Sequence, residues 1–116
     1  MAKKYIPERS HILWLDFEPT KGKEIGKYRP ALVLSSKEYN QKTGLLICCP
    51  ISTSMRGGML EVVIEGLSKP SVVAASVIQT LSWPERKTKY IATAKPKIMK
   101  EVLSRILPLL GTEDFW

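Results

Sequence analysis

Histidine and cysteine are scarce in this chain of 116 residues, which has one histidine, His11, and two cysteines, Cys48 and Cys49. The cysteines are adjacent, and neighbouring residues on a β-strand point to opposite faces, so a disulfide bond between them would be strained. Two sulfur ligands and one distant histidine are too few for a tetrahedral zinc site. We therefore expect two buried, reduced thiols and no metal ion or other cofactor.

Long hydrophobic runs are also absent. The longest uncharged apolar run near the middle of the chain, Leu45–Ile51, is far shorter than the roughly 18 residues that a membrane-spanning helix needs. No hydrophobic signal-peptide core follows the basic segment Met1–Lys4. The sequence therefore predicts a cytoplasmic protein without a membrane span.

Several familiar catalytic motifs are missing as well. The chain has no phosphate-binding P-loop, no dinucleotide-binding G-x-G-x-x-G and no G-x-S-x-G nucleophile turn. Its 11 acidic residues form no pair at useful local spacing, whereas a metal-dependent nuclease normally needs two or more convergent carboxylates. Any hydrolytic or transesterification chemistry would depend on arginine, lysine, serine or threonine side chains, with one glutamate at most.

Positive charge is what the chain has in excess, since 18 Lys and Arg against 11 Asp and Glu give a net charge of +7 and a pI near 9.5. This excess favours a polyanionic partner, which could be a nucleic acid, an anionic membrane surface or an acidic protein. The charge concentrates in the loop Glu18–Pro30 and in Trp83–Lys100, where six basic residues accompany one acidic residue. No basic amphipathic helix supports membrane binding, because the apolar stripe of the terminal helix is expected to face the core.

Hydrophobic patterning predicts six short strands, a short helical turn within Ser36–Gly44 and one long helix, all in a single domain spanning residues 1–116. The helix, at about residues 96–110, begins at Pro96 and repeats apolar residues every four positions. This set of elements suggests a mainly β (α+β) fold, with a strongly bent sheet or barrel over about residues 8–93 and a short tail at 111–116. The predicted strands are His11–Phe17, Ala31–Ser35, Leu45–Ile51, Glu61–Ile64, Val72–Thr80 and Lys89–Thr93.

The most informative stretch is the loop Glu18–Pro30, EPTKGKEIGKYRP, which groups four basic residues and a tyrosine around Glu24. A flexible basic loop with an aromatic residue suits single-stranded nucleic acid, because cations hold the phosphates and the ring stacks on a base. A solvated, charged loop without a ligand is the alternative interpretation.

Four stretches of the chain carry a family signature. They are WLDFEPTKGKE (Trp14–Glu24), YRPALVLSSKEYNQKTGLLICCPIST (Tyr28–Thr53), RGGMLEVVI (Arg56–Ile64) and LSWPER (Leu81–Arg86). The most specific elements are the Arg-Pro pair and the orders Tyr-Asn-x-Lys-Thr-Gly and Cys-x-Pro-x-[Ser/Thr]-Thr. In these residues the chain resembles the MazF/PemK family of toxin–antitoxin ribonucleases, over nearly its whole length.

The resemblance implies an SH3-like β-barrel of the plasmid-maintenance-toxin type that forms a symmetric homodimer. The implied activity is that of a type II toxin, an mRNA interferase that cleaves single-stranded RNA at specific sequences without metal. Attack by a ribose 2′-OH would leave a 2′,3′-cyclic phosphate and a 5′-OH. An acidic antitoxin of the MazE/PemI type would neutralise the toxin by threading an extended tail across the dimer and the RNA site.

Three residues fall on catalytic positions of this family. Arg29 matches the arginine of Arg-Pro, and its guanidinium suits a bidentate grip on a phosphate that gains charge. Ser52 falls where the family has a catalytic threonine, and its hydroxyl would hydrogen-bond the scissile phosphate. Glu24 matches the glutamate of a Glu-Gln pair and would orient Arg29 or accept the 2′-OH proton. The residues that we expect to bind RNA are Thr53, Lys21, Lys23, Lys27, Tyr28, Arg56, Arg86 and Lys87.

The chain departs from the family pattern at three places. Ile25 replaces the Gln of Glu-Gln, Ser76-Val77 replaces an Asp-Gln pair in the predicted fifth strand, and Ser10-His11 replaces a Gly-Asp/Glu pair. Two interpretations remain: an active enzyme with altered sequence preference, or a weakened member that still binds RNA or antitoxin. We favour the first and expect a cleavage motif other than the ACA preferred by the best-known relatives.

A non-enzymatic alternative is suggested by the C-terminus. Gyrase-poisoning toxins of the CcdB type resemble this fold and use C-terminal aromatic residues, and this chain ends in Phe115-Trp116. The Arg-Pro and Pro-x-Ser-Thr matches favour the ribonuclease branch instead.

Overall fold

Seven strands and two helices form the structure, a computed structural model that describes residues 4–111. The strands lie in one antiparallel sheet in the order β4-β5-β3-β2-β1-β7, and β6 pairs with β3 beside that path. The predicted class, a mainly β barrel-like sheet followed by a helix, is confirmed, and the sheet curves into a half-barrel. The elements are β1 (His11–Asp16), β2 (Tyr28–Val33), α1 (Lys37–Thr43), β3 (Leu45–Ser52), β4 (Glu61–Ile64), β5 (Ser71–Ala74), β6 (Gln79–Ser82), β7 (Lys89–Thr93) and α2 (Pro96–Leu109).

The single strand predicted over Val72–Thr80 is wrong, because the chain forms two strands there. The second half of β3 pairs with β5 at Ile51 and Ser52, and its first half pairs with β6 over Leu45–Cys48. Residues 49 and 50 of β3 therefore lie opposite the longer stretch 74–78. Five residues cannot all pair with two residues of β3, so the stretch 74–78 bulges out of the sheet.

β2 begins at Tyr28, three residues earlier than predicted. Pro30 lies within the strand and pairs in register with Trp14 of β1, so it does not mark the strand start. As a result Arg29 stands on a strand, opposite Leu15, and not on a loop. A strand fixes the direction of a side chain more firmly than a loop does, which matters for the site described below.

The sheet buries apolar side chains on both of its faces. One face packs against α2 through a cluster that includes Leu32, Cys49 and Val102. The other face carries a separate cluster that includes Leu15 and Cys48. The adjacent cysteines thus belong to different clusters, as strand alternation predicts, and both are free thiols. Burial raises the pKa of the Cys49 thiol to about 12 and that of Cys48 still further.

Helix α2 begins at Pro96, as predicted, and ends at Leu109. Its buried residues are Met99, Val102 and Ile106, which lie three to four positions apart and pack on the sheet. Leu110 does not extend this stripe, because it lies past the helix end and is exposed.

Asn40 is a fully buried polar residue that joins three parts of the fold. It lies on α1, the helix that replaces the predicted short helical turn. Its amide nitrogen donates to the carbonyls of Pro7 (2.8 Å) and Ser35 (3.3 Å), and its amide oxygen accepts from the Ser35 hydroxyl (2.6 Å). Its backbone carbonyl accepts from the Trp83 indole at 2.9 Å. The second residue of the Tyr-Asn-x-Lys-Thr-Gly stretch therefore has a structural role.

Neither helix in residues 4–111 has both the length and the apolar composition that a membrane span requires. The aromatic pair Phe115-Trp116, on which the gyrase-poison alternative depends, lies outside the described residues.

Candidate active site

A surface cavity of about 550 Å³ lies at the ends of β2 and β3. All three residues predicted to be catalytic, Arg29, Ser52 and Glu24, line it. Two of the predicted RNA-binding residues, Lys23 and Arg56, line it as well. The fold therefore gathers three cations, a hydroxyl and a carboxylate from two strands and two loops into one concave surface.

The pairing of β2 with β3 explains why Arg29 and Ser52 share this cavity. Ala31 lies opposite Pro50, and continuing that antiparallel register by two residues brings Arg29 opposite Ser52. Residues opposite each other in a ladder point to the same face of the sheet. Thr53 follows Ser52 directly, and it lines a second cavity beside Trp14. The predicted RNA-binding residue Thr53 is therefore not brought to the same cavity as Ser52.

The Arg29 guanidinium is half-buried and is oriented by the backbone. Its Nε donates a hydrogen bond to the carbonyl of Gly26 at 2.7 Å. Within the described residues no acidic side chain forms an ion pair with it. Burial lowers the pKa of Arg29, but an arginine stays protonated in proteins, so the terminal nitrogens can present positive charge to a ligand.

Ser52 is the last residue of β3 and its hydroxyl faces a loop amide. The backbone N–H of Ser54 donates to Ser52 Oγ at 3.0 Å. This bond uses an acceptor lone pair and leaves the hydroxyl proton free to be donated. The geometry therefore suits a hydroxyl that donates to a phosphate oxygen in the cavity.

Glu24 lies on the β1–β2 loop, where its carboxylate closes a tight turn. Its Oε1 accepts from the backbone N–H of Lys21 at 2.6 Å. It makes no hydrogen bond or ion pair with Arg29 among the residues that the structure describes, so orientation of Arg29 falls to the Gly26 carbonyl. Of the two roles predicted for Glu24, proton acceptance is the one that the arrangement leaves available.

The β1–β2 loop is braced at its base, which distinguishes it from the flexible loop that its composition predicts. Arg86 Nη1 donates to the carbonyls of Asp16 (3.0 Å) and Glu18 (2.9 Å). The Glu18 carboxylate in turn accepts from the Lys27 amide at 2.8 Å. Arg86 supports the loop that carries Glu24, because its Nη1 donates to two backbone carbonyls. Its predicted RNA-binding role stays a prediction.

Tyr28 lies on the opposite face of β2 from Arg29. Its ring stacks on Trp14, with centroids 5.2 Å apart and an interplanar angle of 21°. Its hydroxyl donates to the carbonyl of Lys87 at 2.9 Å. Tyr28 and Lys87 are exposed, but they do not line the cavity of Arg29, and neither do the exposed Lys21 and Lys27. Their RNA-binding role stays a prediction that concerns surfaces outside this cavity.

Glu61 is a residue of the cavity that the sequence reasoning missed. It is the first residue of β4, and its carboxylate accepts hydrogen bonds from three consecutive backbone amides, those of Arg56, Gly57 and Gly58. Consecutive N–H groups at a glycine-containing turn form a concave anion-binding nest. The signal in the sequence was a glutamate placed shortly after Gly57-Gly58.

Two of the three departures from the family pattern lie at this cavity. Ile25, Ser76 and Val77 all line it, together with Arg29 and Ser52. Ser76 and Val77 reach it because they belong to the bulge between β5 and β6, not to a fifth strand as predicted. His11 lies elsewhere, where its Nδ1 is hydrogen-bonded to the Tyr5 hydroxyl at 2.7 Å.

Most charged side chains of the described residues have no ionic partner. Within residues 4–111 the one ion pair shorter than 4 Å joins His11 Nε2 to Glu8 Oε2 at 3.6 Å. The cations at the cavity are therefore not neutralised by neighbouring carboxylates at short range. In the same part of the chain, no three His, Cys, Asp or Glu side chains are grouped so as to hold a metal ion.

Comparison with known proteins shows the family of the chain. A family model described as the PemK-like, MazF-like toxin of type II toxin–antitoxin systems matches residues 8–110. The chain belongs to this family. The endoribonuclease toxin MazF of Escherichia coli (strain K12) is 35% identical over 111 residues, covering 96% of this chain and 100% of that protein. The endoribonuclease toxin ChpB of the same strain is 32% identical over 116 residues, covering 91% of this chain and 96% of that protein.

Solved structures show the same similarity in three dimensions. A crystal structure of MazF from Deinococcus radiodurans matches with a TM-score of 0.90 at 38% identity, covering 93% of this chain and 99% of that chain. A MazE–MazF structure from the same organism matches with a TM-score of 0.83 at 38% identity, covering 93% of this chain and 98% of that chain.

Proposed function

We propose that this toxin-family protein is an endoribonuclease that cleaves single-stranded RNA at specific sequences by attack of a ribose 2′-OH. The observation that carries the proposal is the placement of Arg29 beside Ser52 in one cavity rimmed by Lys23 and Arg56. The names of the relatives at 35% and 32% identity, which are endoribonuclease toxins, support it.

The proposed reaction forms a bond between the 2′-oxygen and phosphorus and breaks the bond between phosphorus and the 5′-oxygen. Arg29 stabilises the negative charge that grows on the phosphoryl oxygens, using the nitrogens not bound to Gly26. Ser52 donates a hydrogen bond from its hydroxyl to one of those oxygens. The free oxygen of Glu24 accepts the 2′-OH proton, and solvent in the open cavity protonates the leaving 5′-oxygen. The products are a 2′,3′-cyclic phosphate and a 5′-OH.

The proposal includes metal independence, which follows from the chemistry of the cavity. Both of its carboxylates, Glu24 and Glu61, are hydrogen-bonded to backbone amides, and its cations are arginine and lysine. Guanidinium and ammonium groups can neutralise a phosphorane without a metal ion.

The proposal also includes a homodimer and an acidic antitoxin. Exposed apolar side chains lie on the β3–β4 loop, on β4 and at the end of α2, and Arg105 links α2 to the loop by donating to the Met59 carbonyl at 3.0 Å. We expect a second copy of the chain to cover these apolar side chains. Light scattering should then give twice the mass of the 13.1 kDa chain, and the Val63→Lys variant should have the mass of a single chain. The apolar side chains concerned are Met59, Val63, Leu109 and Leu110.

The complexes of MazE with MazF from Deinococcus radiodurans are precedents for an antitoxin partner. For this chain, the unpaired cations at the cavity favour an acidic segment that competes with RNA. An acidic peptide that displaces bound RNA, more weakly at high salt, would support this part of the proposal.

The decisive experiment incubates the purified protein with mixed-sequence RNA in EDTA and maps the new 5′ ends by sequencing. We expect cleavage at a short repeated motif, with 5′-OH and cyclic phosphate termini, that is abolished in Arg29→Ala. Arg9→Ala is the matched control, because the Arg9 Nε also donates to a backbone carbonyl, that of Leu34 at 2.7 Å, away from the cavity. Absence of cleavage together with tight RNA binding would favour the weakened-member alternative.

Sequence preference can be taken from the same data. Because Ile25, Ser76 and Val77 line the cavity in place of amide and acidic residues, we expect the motif to differ from ACA. Cleavage mapped mainly to ACA would contradict that expectation without contradicting the enzymatic function.

A further inference from the structure

The loop between β3 and β4, residues 53–60, is held by a carboxylate at its end. Glu61 Oε1 accepts hydrogen bonds from the backbone amides of Gly57 at 2.9 Å, Arg56 at 3.0 Å and Gly58 at 3.3 Å. Oε2 lies 3.4 Å from the Arg56 amide. Gly57 has a positive φ of 72°, a conformation that residues with a side chain adopt at a cost, and it allows the three amides to converge.

The same loop carries side chains into the cavity of Arg29 and Ser52. Ser54, Arg56 and Leu60 all line that cavity, and Glu61 lies at its edge. No hydrogen bond or ion pair involves the Arg56 guanidinium among residues 4–111. The backbone of Arg56 is therefore fixed while its cationic head stays free for a ligand.

The loop has a second attachment on its other side. Arg105 of α2 donates from Nε to the carbonyl of Met59 at 3.0 Å and from Nη1 to the carbonyl of Glu101 at 2.9 Å. The side chain of Met59 itself is 90% exposed, so apolar packing of that residue does not hold the loop. The backbone also contributes, because the Ala75 amide donates to the Leu60 carbonyl at 2.9 Å. Glu61 and Arg105 are the side chains that hold the loop from residue 56 to residue 59.

We propose that Glu61 is a positioning residue, which holds the β3–β4 loop so that Arg56 binds a phosphate of the RNA next to the scissile one. The inference rests on the proposed function. Glu61 does not act as a base, because both of its oxygens are engaged by the loop. Oε1 accepts three amide hydrogen bonds, and Oε2 lies 3.4 Å from the Arg56 amide. Its effect is to order the loop before RNA arrives, which removes an entropic cost from binding.

A double-mutant cycle on RNA affinity tests whether Glu61 acts through Arg56. The probe is a labelled 2′-O-methyl RNA of mixed sequence, which lacks the attacking hydroxyl and cannot be cleaved, with Kd measured by fluorescence anisotropy. We expect Glu61→Ala and Arg56→Ala each to weaken binding by about tenfold, and the double variant to bind no worse than either single variant. Independent effects would multiply to about 100-fold and would overturn the proposal.

Salt dependence provides a readout that a general loss of structure does not imitate. Removal of one phosphate contact on a single strand should reduce the slope of log Kd against log salt concentration by about 0.7. We expect this reduction in Arg56→Ala and, although Glu61 is itself an anion, also in Glu61→Ala. An unchanged slope or a steeper slope in Glu61→Ala would show that Glu61 does not act through a phosphate-binding cation.

Two further variants control for charge and folding. Glu65→Ala removes an exposed carboxylate four residues away, changes the net charge equally and should leave Kd and the slope unchanged. Glu61→Gln is nearly isosteric and should give an intermediate Kd, because an amide oxygen still accepts from the loop. If Glu61→Ala does not fold, Glu61→Gln enters the cycle in its place.

The test separates this inference from the proposed function. If the unmodified protein cleaves RNA but the cycle is additive, only the role of Glu61 is overturned. If the unmodified protein binds the probe without cleaving RNA, the proposed activity fails while the cycle still decides the role of Glu61.

Discussion

Arg29 Nε donates to the carbonyl of Gly26 at 2.7 Å, so the arginine is aimed by the loop that precedes its own strand. Gly26 is confined in turn, because a Cβ at this position would overlap the Glu18 carboxylate. That carboxylate is fixed by its hydrogen bond to the Lys27 amide. A side chain at position 26 would therefore displace the Glu18 carboxylate from its hydrogen bond to the Lys27 amide.

Arg29→Lys should reduce kcat by about 100-fold while the melting temperature stays within a few degrees. Lysine keeps the charge but lacks the planar fork, so its single nitrogen cannot bond to the Gly26 carbonyl and also bind a phosphate in bidentate geometry. Single-turnover cleavage of a mapped RNA site measures the effect, and Arg9→Lys serves as control. A rate close to that of the unmodified protein would show that charge alone is sufficient.

Ser52→Ala and Thr53→Ala should differ in which kinetic constant they change. Ser52 faces the cavity of Arg29, so its loss should lower kcat by about 10-fold to 100-fold. Thr53 lines the other cavity, so Thr53→Ala should leave kcat within about threefold and act, if at all, on KM. The expected pattern would be contradicted if Thr53→Ala lowered kcat more than Ser52→Ala. Ser52→Thr, which retains the hydroxyl, should keep most of the activity.

Asn40→Ala should lower the free energy of unfolding by about 2–4 kcal/mol, because it leaves buried partners unpaired and opens a small cavity. The partners are the Pro7 carbonyl and the Ser35 hydroxyl. Urea unfolding followed by tryptophan fluorescence measures the change. Gln41→Ala, on the exposed side of the same helix, should cost less than about 1 kcal/mol. Equal losses in the two variants would contradict a structural role for Asn40.

His11 should make the protein less stable as the pH falls below 7. Burial lowers the pKa of His11 from its ordinary 6.5, an effect that Lys37 reinforces and Glu8 opposes. At a pH between the lowered pKa of the folded protein and the value of 6.5 in the unfolded chain, the unfolded chain binds more protons. Acidification through this range therefore favours unfolding. In His11→Asn this contribution should vanish, and its stability should fall less steeply between pH 7 and pH 5. Parallel pH profiles would show that His11 does not contribute.

The sequence predicted the class of fold and five of the cavity residues, Lys23, Glu24, Arg29, Ser52 and Arg56. Strand periodicity and the apolar repeat of α2 were sufficient to predict the class of fold. The catalytic candidates came from resemblance, since residue types alone gave only a basic loop with a tyrosine. The sequence did not predict the role of Arg86, because its two carbonyl partners lie about 70 residues earlier in the chain.

Glu61 and the pair Ser76-Val77 show most clearly where sequence reasoning ends. A glutamate that follows two glycines does not reveal which amides its oxygens will meet. A β-branched stretch such as Val72–Thr80 predicts one strand, because local propensity carries no information about the register against β3.

Composition and local pattern by themselves determined an excess of positive charge, a mainly β chain with one amphipathic terminal helix, and two thiols on opposite faces of a strand. These properties depend on residue type and on the fixed periods of strands and helices. Only the tertiary structure decided that Arg29 and Ser52 share a cavity while their neighbours Tyr28 and Thr53 do not, and that Glu61 holds the loop of Arg56. Such relationships depend on pairing between distant segments, which is set by the packing of the whole sheet.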